Sequence, residues 1–155
     1  MTDDLTEIGR VASDLLLSTG PVERRRILRS IARDLRQSQA ARVLRQENPD
    51  GSPFAARKPR ASRFRRQGQI RTKVMFRKLV MAKHLRTGVS ADEAWVGFVG
   101  RAARVARPHQ EGSIDRAAPG APPVRYARRV LLGLTDAERQ RMFDAVLAAV
   151  TASVR

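Results

Sequence analysis

The chain has 155 residues, of which 31 are Lys or Arg and 15 are Asp or Glu, and its formal net charge is +16. The length favours a single domain over residues 1–155, because one core usually serves about 100–200 residues. Since cysteine is absent, disulfides, thiolate metal sites and cysteine catalysis are excluded.

The N-terminal sequence carries no targeting signal. Residues 1–7 are acidic and lack the basic region and apolar stretch of a secretory signal. No apolar run approaches the roughly 20 residues that a membrane helix needs. We therefore expect a protein that is made and kept in the cytoplasm until lysis and that has no membrane partner.

The first predicted element is an amphipathic helix over residues 3–17. Its apolar residues recur at spacings of three, four and three, which places them on one face of a helix. These residues are Leu5, Ile8, Ala12 and Leu15. Four acidic residues against Arg10 alone give the segment a net charge of −3. We expect this acidic helix to pair with a basic surface, either its own or that of a neighbouring copy.

The second predicted element is a long helix over residues 21–46. Pro21 suits its first turn, because that position needs no backbone N–H. Apolar residues four apart predict the buried face. They are Ile27, Ile31 and Leu35. The turn-forming residues 48–51, which include Pro and Gly, end the helix.

A basic arm over residues 51–69 is predicted next. Between residues 51 and 91 the chain has twelve Lys and Arg and no acidic residue, and the arm shows little apolar periodicity. Such a segment has too few apolar residues to fold alone and is typical of an extended arm that binds an acidic or phosphate-rich partner. The candidate partner-binding residues are Arg57, Lys58, Arg60, Arg63, Arg65 and Arg66. The alternative is a solvated surface loop.

Short elements are predicted in the middle of the chain. Residues 74–80 are expected to form a short helix that re-enters the core. Alternating polar and apolar residues predict a β-hairpin within residues 82–99. A short helix over residues 101–107 follows, and residues 108–123 are expected to be a proline-rich loop.

The C-terminal part predicts one more strand, over residues 126–134, and a final helix. Thr135 and Glu138 form a capping box, which marks the start of that helix. Its apolar stripe consists of Met142, Phe143, Val146, Leu147 and Val150. The fold class is α+β: N-terminal helices and a C-terminal helix pack around a small antiparallel sheet, with the basic arm extended from it.

No constellation of residues predicts catalysis, a cofactor or a metal. Neither His84 nor His109 is flanked by a carboxylate pair with metal-ligand spacing. We expect His109 and Glu111 to play a structural role at a helix end, where the helix dipole favours a protonated histidine. A base-stacking platform of Trp95 and Phe98 is disfavoured, because residues an odd number apart on a strand face opposite sides.

Several blocks of residues occur in a characteristic order between about residues 21 and 137. They are Asn48–Arg60, Met75–Leu79, Gly97–Arg107 with His109, Gln110 and Gly112, and Val124–Arg128 with Leu131–Asp136. Together they resemble the phage virion morphogenesis family, whose members include tail completion proteins of contractile-tailed temperate phages. One departure is Glu111, which stands where the family has an aromatic residue.

The resemblance implies a non-enzymatic subunit of a ring, with a hexamer as the preferred number, that caps the head-proximal end of a tail. The ring would contact the tail tube and the last sheath layer. In a phage it would then receive head-neck proteins, and in a headless tail-like bacteriocin it would close the top. Assembly would take place in the bacterial cytoplasm, with release by lysis.

The competing interpretation is a free nucleic-acid-binding protein that uses the arginine-rich segment. Its support is the charge of the chain and of the basic arm. Against it, the sequence has no helix-turn-helix, RNP or zinc signature. In a ring, nucleic acid would be a partner only by passing through the opening.

Overall fold

A computed structural model describes residues 10, 14, 17, 19–57 and 74–153, and its fold is α+β. The named elements in these ranges are α1 (Pro21–Arg45), β1 (Leu85–Val89), β2 (Ala94–Phe98), α2 (Arg101–Glu111), β3 (Ile114–Arg116), β4 (Pro123–Arg125) and α3 (Asp136–Ser153). Arg10, Asp14 and Leu17 are helical, and the rest of the predicted acidic helix lies outside the described residues. Within the described ranges, no helix is both long enough and apolar enough to cross a membrane.

The predicted long helix is confirmed as α1. Pro21 occupies its first turn, and the helix ends at Gln46, which adopts a left-handed φ of 64°. The N–H of Gln46 donates to the carbonyl of Val43 at 3.0 Å, which closes the last turn. The turn that follows is fixed by a bond from the Asn48 N–H to the Ser52 carbonyl at 2.8 Å.

Two apolar clusters hold the elements together. The larger lies beside the C-terminal half of α1 and consists of Val43, Phe54, Met75, Val80, Leu85, Ala106 and Leu131. The smaller joins the N-terminal half of α1 to α3, through Ile27, Ile31 and Val146. Burial of such side chains contributes about 1.5–3 kcal/mol each, so these two clusters fix α1 against both the hairpin and α3.

The predicted hairpin is confirmed as β1 and β2, which pair antiparallel with Gly88 opposite Trp95. The Trp95 ring covers Gly88 so closely that a Cβ at that position would overlap the indole. Trp95 is 49% exposed, whereas Phe98 packs against the larger cluster. The two aromatic rings therefore lie on opposite faces, as predicted. An ion pair between Arg24 and Asp92 joins the hairpin turn to α1.

Two predicted elements between residues 74 and 123 are wrong. Residues 75–80 form successive turns and no helix, because Phe76 takes a left-handed φ of 64° that an α-helix does not allow. The predicted loop over 108–123 contains the end of α2 and strand β3. Pro108 lies inside α2, and its carbonyl accepts from the N–H of the left-handed C-cap Gly112 at 2.9 Å.

The predicted strand over residues 126–134 is also wrong, since the strand in this region is β4, which pairs with β3. The backbone groups that a neighbouring strand would otherwise bind are instead bound by side chains and by the C-terminal end of α2. The N–H of Val130 donates to Asn48 Oδ1 at 2.9 Å, and the N–H of Leu132 donates to Gln110 Oε1 at 3.0 Å. The pattern of residue types favours a strand, but these bonds satisfy the backbone without one.

The predicted start of the C-terminal helix is confirmed. The Glu138 N–H donates to the Thr135 hydroxyl at 3.1 Å, and the Thr135 N–H donates to the Glu138 carboxylate at 2.8 Å. This reciprocal pair is a capping box. Of the predicted stripe, Val146 is buried, and Met142 and Val150 pack against it, whereas Leu147 is 43% exposed.

Candidate partner-binding site

The described part of the basic arm ends in a root, residues 54–57, that is fixed to the body. Phe54 is buried in the larger cluster, and its N–H donates to the Gln46 carbonyl. Arg129 Nε donates to the Ala55 carbonyl at 2.8 Å, and Nη2 donates to the Ala56 carbonyl at 2.9 Å. The buried guanidinium of Arg129 therefore fixes the arm root against the body.

Arg129 also fixes the protonation state of His109. Its Nη1 lies 3.1 Å from His109 Nδ1, and because a guanidinium only donates, Nδ1 must accept and the ring is neutral. Burial, then the charges of Arg129 and Arg57, lowers the pKa of His109 to about 4. The expectation of a protonated histidine at this helix end is wrong, because desolvation and two nearby cations outweigh the helix dipole.

Three aromatic side chains pack with His109 in a row. Ring centroids are 6.0 Å apart for Phe54 and Phe76, 4.8 Å for Phe76 and His109, and 4.8 Å for His109 and Tyr126, all edge to face. Phe76 holds its place with a positive φ of 64°, which is unusual for a bulky residue. Because Phe54 belongs to both, the row connects the arm root to the body.

A cleft of about 610 Å³ opens beside the arm root. Its lining includes Arg57, Met75, Phe76, Val124, Tyr126 and Arg129. Part of the lining is therefore apolar and aromatic, and the lining also carries three guanidinium groups, those of Arg57, Arg125 and Arg129. We call this the arm-root cleft.

Arg129 is buried without a carboxylate among its hydrogen-bond partners in the described ranges. It is only 5% exposed, yet it donates to carbonyls and contacts the neutral His109. The ion pairs among the described residues involve neither Arg57 nor Arg129. Burial, and then the charge of Arg57, lowers the pKa of Arg129. The cleft is therefore suited to a carboxylate or another anion.

The structure locates one of the six predicted partner-binding residues. Arg57 is exposed at the mouth of the arm-root cleft. Lys58, Arg60, Arg63, Arg65 and Arg66 lie outside the described residues. Across the described ranges, no group of three or more His, Asp or Glu side chains is arranged to hold a metal ion.

A second buried arginine, absent from the sequence-based predictions, binds the residues that directly follow Arg129. Arg42 is 3% exposed, Gln39 3% and Glu138 2%. Arg42 Nη2 donates to Gln39 Oε1 at 2.5 Å, and Gln39 Nε2 donates to Glu138 Oε1 at 3.0 Å. We call these three residues the Arg42 network.

The Arg42 network joins the end of α1 to the start of α3. Arg42 also donates to the carbonyls of Val130 and Leu131, at 2.9 and 3.1 Å. Burial alone would raise the pKa of Glu138, but hydrogen bonds from Ser38 and Thr135 and the charge of Arg42 lower it below its ordinary value. Glu138 is therefore ionised at neutral pH and balances the charge of Arg42.

The sequence does contain a signal for this network. Leu28, Ala32 and Leu35 recur at spacings of four and three, and Gln39 and Arg42 continue the same spacing. Polar residues in register with an apolar stripe indicate buried polar groups. Arg129 has no such signal, because it lies in an irregular segment.

The sequence blocks that carry the family resemblance, together with residues 129 and 130 between two of them, meet in space at this site. Asn48 binds the backbone of Val130, and Arg129 binds the arm root. Gln110 binds Leu132 in both directions, by donating to its carbonyl at 2.8 Å and accepting from its N–H at 3.0 Å. The blocks therefore build one continuous scaffold for the cleft and the arm.

Comparison with known proteins gives two matches. The phage virion morphogenesis family matches residues 3–151. The chain is similar to tail completion protein S of Escherichia phage P2, with 34% identity over 135 residues that cover 86% of this chain and 89% of the relative. No solved structure matches.

Proposed function

The chain belongs to the phage virion morphogenesis family, and on this premise we propose that it is a structural protein that completes a phage tail. More specifically, we propose a non-enzymatic subunit of a closed ring, with a hexamer preferred, at the head-proximal end of a contractile tail or tail-like bacteriocin. Its partners would be the tail tube and the last sheath layer, and head-neck proteins in a phage. It would assemble in the bacterial cytoplasm and be released by lysis.

One observation carries this proposal. The relative from phage P2 is named a tail completion protein, and the similarity extends over 86% of this chain and 89% of the relative. The family match over residues 3–151 includes the scaffold around the arm-root cleft as well as α1 and most of α3. A shared role in completing the tail is therefore the best-supported function.

The basic arm is proposed as the contact with an acidic partner surface. The arm root is held by Arg129 and Phe54, so that the arm leaves a rigid platform at a defined place. Its candidate binding residues are Arg57, Lys58, Arg60, Arg63, Arg65 and Arg66. Guanidinium groups bind carboxylates through paired hydrogen bonds, which suits an acidic face of tube, sheath or neighbouring subunit.

Two measurements test the proposal. Native mass spectrometry of the purified chain, alone and with tail tube protein, should show a closed ring. In a producing strain, replacing Arg60, Arg63, Arg65 and Arg66 with Ser should leave the fold intact and abolish attachment of the protein to tails. A chain that stays monomeric under both conditions, or complete particles that form with the fourfold variant, would contradict the ring or the arm contact respectively.

The control variant removes the same number of positive charges from the surface of two helices. Exposed arginines on α1 and α3 can be replaced with Ser in the same number, namely Arg25, Arg26, Arg139 and Arg141. If attachment depends on the basic arm, this control should still attach to tails. If both variants fail alike, net charge alone determines attachment and the arm has no specific role.

A second candidate function, nucleic-acid binding, has one observation in its favour. A groove of about 490 Å³ between α1 and β1 is lined by Arg29, Arg33, Arg36 and Arg86, and none of its described lining residues is acidic. A row of guanidinium groups of this kind suits phosphates. A monomer that binds duplex DNA with steep salt dependence and does not attach to tails would favour this candidate over the first.

A further inference from the structure

We propose that the arm-root cleft binds the acidic N-terminal segment, residues 3–17, of a neighbouring copy of this chain. The inference rests on the proposed ring, because it names a contact that would join its subunits. It does not depend on what the basic arm binds. The segment would place its apolar stripe on the apolar part of the lining and its carboxylates beside Arg57 and Arg129.

The first argument is the unbalanced charge in the cleft. Buried charges in proteins are normally paired, and Arg42 is balanced by Glu138 through Gln39. Arg129 is equally buried but has carbonyls and a neutral histidine around it. Arg57 adds a second positive charge at the mouth. A carboxylate entering the cleft would supply the missing counter-charge.

The second argument is the match in composition. The part of the lining formed by Met75, Phe76, Val124 and Tyr126 is apolar, so a purely polar acidic peptide would leave it uncovered. Residues 3–17 combine a net charge of −3 with an apolar stripe of Leu5, Ile8, Ala12 and Leu15. An amphipathic acidic helix offers both chemistries at once. Its apolar stripe suits the apolar part of the lining, and its carboxylates suit the guanidinium groups.

The third argument is reach, and it favours a neighbour's segment over the chain's own. The segment joins the body at the N-terminal end of α1. The cleft lies at the other end, where the Gln46 side-chain amide donates to the Met75 carbonyl and accepts from the Met75 N–H. At about 1.5 Å per residue, α1 is roughly 37 Å long and a helix over residues 3–17 is roughly 22 Å long. As a helix, the segment is shorter than α1, which favours a contact between copies that repeats head to tail around a ring.

Cysteine cross-linking tests the contact, because the chain has no native cysteine. Two differently tagged copies are expressed together, one with Leu5→Cys and the other with Val124→Cys, and oxidised. We expect a disulfide that joins the two tags. Replacing Val124→Cys with Ala148→Cys, an exposed position on α3, provides the matched control and should give no such product.

A charge variant gives an independent readout. Changing Asp3, Asp4 and Glu7 to Lys should abolish the cross-link, and adding Arg57→Glu to the partner copy should restore part of it. This pair of variants leaves Arg129 intact, so a loss does not reflect unfolding of the cleft. Loss without any rescue would contradict charge pairing at the mouth.

The outcomes separate this inference from the ring itself. A closed ring without a cross-link between copies would overturn the inference and leave the ring standing. A disulfide within one chain that carries both Leu5→Cys and Ala148→Cys would show that the segment packs on its own body, which also overturns it. A disulfide between Val124→Cys and Phe64→Cys in the same chain would assign the cleft to the basic arm. A monomer with no cross-link would overturn both proposals.

Discussion

Arg42 and Arg129 are two arginines with nearly equal burial, at 3% and 5% exposure, and opposite surroundings. Arg42 lies in a closed network with an ionised Glu138, and its donors join α1 to residues 130 and 131. Arg129 lies beside an open cleft and donates to carbonyls of the arm root. A buried charge that is balanced internally stabilises the fold, whereas one that is not balanced is available to a partner.

The largest expected effect is that of Arg42→Ala on stability. The substitution leaves Glu138 without its counter-charge and several carbonyls without a donor, so the free energy of unfolding should fall by about 3–5 kcal/mol. Arg45→Ala is the matched control, because Arg45 is an exposed neighbour on α1 whose ion pair with Glu47 contributes at most about 1 kcal/mol. Chemical denaturation measures both, and equal losses would contradict the special role of Arg42.

A smaller loss of stability is expected for Arg129→Ala, accompanied by a local change. Hydrogen bonds from a charged donor contribute about 1.5–3 kcal/mol, and the fold keeps its Arg42 network. The arm root should lose protection, so amides and proteolytic sites near residues 55–57 should become accessible before the rest of the chain. The exposed neighbour Arg128→Ala should change neither. If Arg129→Ala instead unfolds the whole chain without opening the arm root first, Arg129 and Arg42 have the same structural role.

The lowered pKa of His109 predicts a pH dependence of stability that arises beside Arg129. Its pKa is about 4 in the folded chain, against an ordinary value of 6.5, so between these values the unfolded chain binds more protons. Stability should therefore decrease as pH falls from about 6.5 to about 4. The decrease should be about 1–2 kcal/mol, because each pKa unit corresponds to about 1.4 kcal/mol and partial hydration reduces the full value.

The variant His109→Gln isolates this dependence. It keeps a polar side chain beside Arg129 but removes the titration, so the slope of unfolding free energy against pH should flatten between pH 6.5 and 4. Glu138 also titrates, and its lowered pKa means that its contribution is present above the ordinary carboxyl value and is lost on further acidification. An unchanged slope in the variant would assign the acid sensitivity to Glu138 or another group.

The smallest expected effect on stability is that of the fourfold arm variant, Arg60, Arg63, Arg65 and Arg66 to Ser. Surface substitutions away from buried features usually change stability by less than about 0.5 kcal/mol. The thermal midpoint should therefore match that of the wild type, while attachment to tails is lost. A large drop in the midpoint would mean that the arm belongs to the fold and is not an independent binding element.

Local sequence signals were sufficient for α1, the β1–β2 hairpin and the start of α3. Pro21 and the four-residue apolar spacing placed α1, and Thr135 with Glu138 placed the start of α3. The hairpin followed from alternation and from aromatic and β-branched residues. These features depend on neighbours in the sequence, so they can be predicted from sequence alone.

The cleft and the irregular segments depend on long-range bonds instead. Residues 126–134 have strand-like composition, but Asn48, Gln110 and Arg42 occupy their backbone groups. The burial of Arg129 depends on carbonyls more than 70 positions away in the sequence. No spacing rule encodes such a contact, so the arm root and its neutral histidine required the three-dimensional arrangement.

The segment that contains the basic arm is fixed to the body on both sides, by Arg129 at Ala55 and Ala56 before it and by Gln46 at Met75 after it. Between Arg57 and Val74 lie 16 residues, whose fully extended length is at most about 56 Å. A loop tethered at both ends can extend its tip only half of that contour, or about 28 Å. That distance is comparable to the diameter of a small domain, so the tip can reach an adjacent molecule and none beyond it.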